Sequence, residues 1–114
     1  MELKIEKKDS YLLLAPEGRI DAGTSQQFDS SFTEASSALD EQPDIILDLS
    51  EVEYLSSAGL RSVLKIAKQC TAGKKKLVIC GIQPPVNEVF RISGFAALLK
   101  IAGTRDEAIA LISG

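Results

Sequence analysis

The chain has 114 residues, of which 45% are hydrophobic and 25% charged, with a net charge of −3; this is the size and balance of one globular domain with its own core, and it excludes a disordered or two-domain chain. Acidic and basic residues are interspersed, so the basic footprint of a nucleic-acid-binding domain is missing and no direct nucleic-acid contact is expected. Histidine does not occur, which rules out a Ser-His-Asp triad, a Cys-His pair and the commonest zinc ligand.

Along the chain, "ELKIEKK" alternates apolar and charged residues through Leu3 and Ile5, the period of an edge strand with one face in water. Asp9-Ser10 signals a turn, and "YLLLA", bounded by Pro16 and Gly18, completes an N-terminal β-hairpin. "TSQQ" from Thr24 has the form of a capping box. The helix it opens carries Phe28, Phe32, Ala35 and Leu39 on one stripe until "DEQPD" ends it. "DIILDLS", residues 44 to 50, is continuously apolar at its centre and reads as the central strand, covered on both faces.

"SEVEYL" is expected to cross the top of the sheet to a helix that starts at Ser56 or Ser57, carries Leu60, Val63, Leu64 and Ala67 inward and closes at Gly73. On another side of that helix lie Arg61, Lys65 and Lys68, which suit a solvated face or an acidic partner. "KKKLVIC" supplies a further buried strand. Pro84 and Pro85 suit the first turn of a helix bearing Val86, Val89 and Phe90, with Gly94 as its stop. "LLKI" is a short strand candidate, and "TRDE" repeats the capping-box form before Ala108, Leu111 and Ile112. The expected order is β-β-α-β-α-β-α-β-α. Strand-helix-strand units favour parallel pairing, so the fold class is α/β: a mixed, mostly parallel sheet with about four helices packed on it.

Cys70 and Cys80 fall in a helix and a strand and read as reduced core residues rather than a disulfide or a metal site. No run approaches the roughly 20 apolar residues of a membrane helix, and "MELKIEKKDS" lacks the apolar core of a signal peptide. A cytoplasmic chain without membrane contact, bound metal or cofactor is the expectation.

The segment "LSSAGL" carries the strongest functional signal. Its two serines sit between the carboxyl end of the central strand and the amino end of a helix, where sites in α/β sheets usually lie. Serine is also among the best N-cap residues. A phosphate at such a position would add about −1.5 to −2 charges where amide donors accommodate an anion. The small neighbours Ala58 and Gly59 leave a hydroxyl accessible. An enzyme finds little support: "SSAGL" is not a G-x-S-x-G elbow, and no G-x-x-x-x-G-K-[ST] loop is present.

"DLSEVEYLSSAGLRSVL" resembles the signature of the anti-sigma factor antagonists, whose fold is the STAS domain shared with sulphate-transporter tails. In register, Asp48, Leu49 and Ser50 open the motif, Tyr54 and Leu55 are its aromatic and aliphatic, Ser57 is the phosphate acceptor and Gly59 the glycine. Ser56 stands where many members carry aspartate, which makes it the alternative acceptor, and Ala58 replaces a second serine. "PEGRIDAGTSQQF" resembles the family segment before the first helix, which puts Gly18, Ile20, Asp21 and Thr24 in register and implies that Asp21 lies near the acceptor; "CGIQPPVNEVFRISGFAALLKI" resembles the family's third crossover.

The resemblance covers nearly the whole chain and implies a single STAS domain over residues 1–114. It implies a module of bacterial transcription regulation that binds an anti-sigma factor with serine-protein kinase activity. Binding in the unphosphorylated state would release a sigma factor, phosphorylation of Ser57 would end it, and a phosphoserine phosphatase would restore it. The surface implied for that partner comprises Asp21, Thr24, Ser56, Ser57, Ala58, Gly59 and Arg61, on a chain that is monomeric when free. The competing reading is a STAS adapter in a transporter or signalling assembly that works without phosphorylation.

Overall fold

The computed structural model describes residues 1–113. Strand β1 (Glu2–Lys7) runs antiparallel to β2 (Tyr11–Ile20), with Leu3 opposite Pro16 and Ile5 opposite Leu14. The turn between them closes through the Lys8 amide, which donates to the Tyr11 carbonyl at 2.8 Å. The expected hairpin and edge strand are therefore present: Leu3 and Ile5 pack against the core while the alternate charged residues face water. Every other pairing is parallel. β3 (Asp44–Asp48) lies beside β2, β5 (Leu77–Cys80) beside β3, and β6 (Lys100–Ala102) beside β5. The sheet order β1-β2-β3-β5-β6 puts "DIILD" in the middle, which is why its residues are apolar on both faces.

The sheet separates two cores by the two-residue period of its strands. Leu12, Leu14, Ile45, Leu47 and Ile79 point to the face covered by α1 (Ser25–Ser37), α2 (Ser57–Ala72) and α3 (Pro84–Ser93), where they meet Phe28, Phe32, Val63, Ile66, Val86 and Phe90. Leu13, Ile46, Val78 and Cys80 point the other way, to Ala108 and Ile112 of α4 (Arg105–Ser113). Four helices on a mixed sheet match the expected class.

Several local expectations fail, each for a tertiary reason. "SEVEYL" does not merely cross over: Val52–Leu55 is a strand, β4, parallel to the far end of β2 with Gly18 opposite Val52 and Ile20 opposite Leu55. Pro16 and Gly18 consequently do not end β2. Pro16 lies between the stretch of β2 that pairs with β3 and the stretch that pairs with β4, and Gly18, at φ +94°, takes up the register shift where the β4 pairing begins. Four residues with only Val52 and Leu55 buried show no period long enough to announce a strand.

The "TSQQ" box does not form. Thr24 occupies the N-cap position, but its hydroxyl is turned back into the preceding loop and makes no cap bond to α1. α1 ends at Ser37, so Leu39 lies beyond it, half-buried in the following turn. The "LLKI" candidate divides: Phe95–Leu98 is a short 3-10 turn, and the strand starts only at Lys100. At "TRDE" the Thr104 hydroxyl accepts from the Glu107 amide at 3.2 Å as a cap should. The Glu107 carboxylate, however, reaches the Gly103 amide at 3.1 Å rather than that of Thr104. Gly94 ends α3 in the left-handed conformation, as expected.

Candidate functional site

β2, β4 and the start of α2 meet at the carboxyl end of the parallel strands. The Ile20 carbonyl is the joint: it accepts from the Ser56 amide at 2.9 Å, and the Ser56 hydroxyl donates to it at 3.4 Å. That hydroxyl also accepts from the Gly59 amide at 3.2 Å and so caps α2. Ser57 is the first residue of the helix and is exposed. The two serines thus have different positions: one is tied to a carbonyl and an amide, the other stands free at the surface one residue on.

Gly59 explains why the helix sits so close. A Cβ there would stand 2.4 Å from the Ile20 carbonyl oxygen and 2.7 Å from Leu55 Cδ1, so only glycine lets the first turn of α2 rest on the end of β2. Ala58 beside it is half-buried.

Asp21 and Thr24 form the adjoining turn. The Asp21 carboxylate accepts from the Gly23 amide at 3.0 Å and the Thr24 amide at 3.1 Å, and Arg19 lies at 3.6 Å from its second oxygen. Partial burial works against ionisation, but the amides of Gly23 and Thr24 with the Thr24 hydroxyl outweigh it and hold the carboxyl below its ordinary value. The Thr24 hydroxyl donates to the Arg19 carbonyl at 2.8 Å and accepts from the Asp21 amide at 2.9 Å. It is engaged within its own loop. Of the residues singled out in the sequence, Asp21, Ser56, Ser57, Ala58 and Gly59 come together around Ile20, Thr24 backs the turn, and Arg61 lies one helical turn beyond Ser57.

Sequence reasoning missed two contributors. Arg19 lies with its guanidinium 4.2 Å from the centre of the Tyr54 ring, so both form the exposed rim of this end. Arg105, at the start of α4, reaches 57 positions back to Asp48: its Nε donates to Oδ2 at 2.9 Å and Nη2 lies at 2.8 Å from the same oxygen. Asp48 Oδ1 accepts from the Ser50 amide at 2.9 Å. Burial pushes the Asp48 carboxyl up, yet the Ser50 and Arg105 bonds prevail and its pKa lies below the ordinary value. No local pattern marks either contact, since both join elements remote in sequence.

Of the basic stripe on α2, Lys65 is bound to Asp29 of α1 at 3.1 Å, while Arg61 and Lys68 are exposed. Cys70 and Cys80 are free thiols buried in the two cores. Among the described residues, no helix is long and apolar enough to cross a membrane.

The site is a hydroxyl displayed at a helix start, at the strand ends of a mixed α/β sheet. The chain belongs to the STAS domain family, whose model matches residues 2–108. It is 36% identical over 111 residues to a Bordetella bronchiseptica protein assigned as an anti-sigma factor antagonist, BtrV, a match covering 96% of this chain and 93% of that one. The fold is also that of an anti-sigma factor antagonist from Mycobacterium paratuberculosis, with a TM-score of 0.88 at 19% identity over 99% of this chain and 94% of the other. SpoIIAA, described in its unphosphorylated form, superposes with a TM-score of 0.81 at 21% identity, covering 99% and 97% of the two chains.

Proposed function

We propose that this STAS domain is a phosphorylation-controlled antagonist of an anti-sigma factor, with Ser57 as the switch. Unphosphorylated, it binds an anti-sigma factor that is also a serine-protein kinase, and a sigma factor is released. The kinase then transfers the γ-phosphoryl of ATP to Ser57 Oγ; the hydroxyl gives up its proton, ADP leaves, and the partner dissociates. A phosphoserine phosphatase returns the chain to its binding state. The chain supplies an acceptor and a surface in the cytoplasm, while nucleotide and catalysis belong to the kinase.

The observation that carries this reading is the difference between the two serines. Ser56 uses its hydroxyl on Ile20 and Gly59, whereas Ser57 is exposed at the first position of α2. Support also comes from the likeness to BtrV over almost the whole chain. In this reading the docking surface is made up of Asp21, Ala58 and the rim of Arg19 and Tyr54, with Arg61 on the adjoining turn of α2, while Gly59, expected at that surface from the sequence, is buried and serves to seat the helix.

A dianion placed in that interface introduces desolvation and charge repulsion, and a loss of about 2–4 kcal/mol, roughly 30- to 1,000-fold in affinity, makes an effective switch. The test is titration of the partner kinase against wild type, Ser57→Ala and Ser57→Asp, with phosphosite mapping after incubation with ATP. Ser57→Ala is expected to bind but take no phosphate, and Ser57→Asp to bind weakly. Full phosphorylation of Ser57→Ala, or tight binding by Ser57→Asp, would overturn the assignment. Stable absence of any phosphate adduct on wild type would favour an adapter working without modification.

A further inference from the structure

Four arginines occur in the chain. Arg19 is held over Tyr54 and beside Asp21, Arg91 grips Glu88 through bonds of 2.6 and 2.7 Å, and Arg105 is bound to Asp48. Arg61 differs. Among the described residues it has no ion pair, and it is exposed on α2 four residues after Ser57. Side chains on a helix lean toward its amino end, so a residue at that spacing lies over the turn that Ser57 begins. An acid placed one turn before a base is also the more favourable order of the two. The next cation along the stripe, Lys65, is already committed to Asp29.

We propose that Arg61 is the internal receptor of a phosphate on Ser57. The inference rests on Ser57 being the modified residue and adds how the modified state is held. A phosphoserine offers three strong acceptor oxygens, and a guanidinium presents paired donors whose geometry fits two of them. The charged groups nearest this end on the elements that meet here are the carboxylates of Asp21, Asp29 and Glu53 and the cations Arg19 and Lys65; Glu17, Glu34 and Lys68 lie further along β2, α1 and α2. The carboxylates repel a phosphate, and Arg19 and Lys65 already have partners. Among the described residues Lys68 is likewise exposed and without an ion pair, but it lies three turns from Ser57, so Arg61 is the uncommitted cation within one turn of it. Phosphorylation therefore acts twice on the docking surface: it adds an anion, and it withdraws into the chain the arginine that an unmodified surface presents to a partner. Lysine lacks the fork and would replace it only in part.

The experiment places phosphoserine at position 57 during translation, so that no kinase is needed, and follows the second ionisation of the phosphate by 31P NMR. A neighbouring cation favours the dianion and lowers that pKa. Wild type is expected to titrate roughly 0.2–0.4 unit below Arg61→Gln, with Arg61→Lys between them. Lys68→Gln, which removes an equal charge from the same helix at a distance of three turns, is expected to match wild type. Equal values for wild type and Arg61→Gln would overturn the proposal, as would an equal upward shift in Lys68→Gln, since that would reveal only general screening. Because the phosphate is installed directly, failure here leaves the kinase reading of Ser57 standing, and failure of that reading leaves this result intact.

Discussion

Gly59 is the residue on which the position of the Ser57 hydroxyl most directly depends. The Ile20 carbonyl would stand 2.4 Å from any Cβ added there, and backbone cannot move aside as a flexible side chain can. Gly59→Ala should therefore lift the first turn of α2 off β2 and weaken the bonds from Ser56 to Ile20 and from Gly59 to Ser56. A stability loss of about 1–3 kcal/mol in denaturant titration is expected from such overpacking. Ser57 in that variant should also be a poorer kinase substrate even under conditions where it stays folded. Unchanged stability would mean that the helix start tolerates displacement and that the glycine has another purpose. The role of this glycine was partly legible in "SSAGL", where a small residue suggests access. Its nearest obstacle, Ile20, lies 39 positions away and is invisible in the motif.

At the scale of elements, α4 is fastened to the sheet at both ends. Arg105 at its start binds Asp48 of β3, and Lys76 at the head of β5 donates to the carbonyls of Leu111 and Ile112 at 3.2 and 3.3 Å near its close. The Asp48 carboxyl is lowered in the folded chain, so its contribution is fully present above the unfolded value near 3.8 and disappears as pH falls through the lower folded value. Wild type should accordingly lose stability on acidification across and below that point. Arg105→Gln should be less stable at neutral pH by about 1.5–3 kcal/mol, the range for a hydrogen bond to a charged group. Because the Ser50 amide still favours the carboxylate, part of the acid dependence should remain. Thermal melts at several pH values check this, and a variant with the full wild-type dependence would exclude the pair as its source.

Across the whole molecule, the sheet divides the apolar residues into two cores and places one cysteine in each. Burial pushes Cys70 up to about 11, with Asp44 adding to the effect; burial likewise pushes Cys80 up to about 11, helped by Asp48. Thiol chemistry requires the thiolate, so both should be inert toward a disulfide reagent at neutral pH in the native state. Both should react together once denaturant opens the domain. Labelling of either thiol in the native chain at the rate of a free cysteine would mean that its core opens locally. The contrast with Ser57 is physical: the nucleophilic sulfurs are sealed inside, and the hydroxyl proposed as the phosphate acceptor is displayed.

The sequence by itself determined the fold class, the hairpin, the central strand and the helix start at the two serines. These are written in local periodicity, in turn residues and in a motif of contiguous positions, and each survives in the folded chain as a local feature. Only the tertiary structure decided that 52–55 pairs with β2, that Thr24 turns into its own loop instead of capping α1, and that Arg105 seeks Asp48. It also decided which serine hydroxyl is tied down. Those outcomes depend on what a carbonyl, a carboxylate or a short extended segment finds beside it after the sheet has formed, and that neighbour lies tens of residues away in the chain.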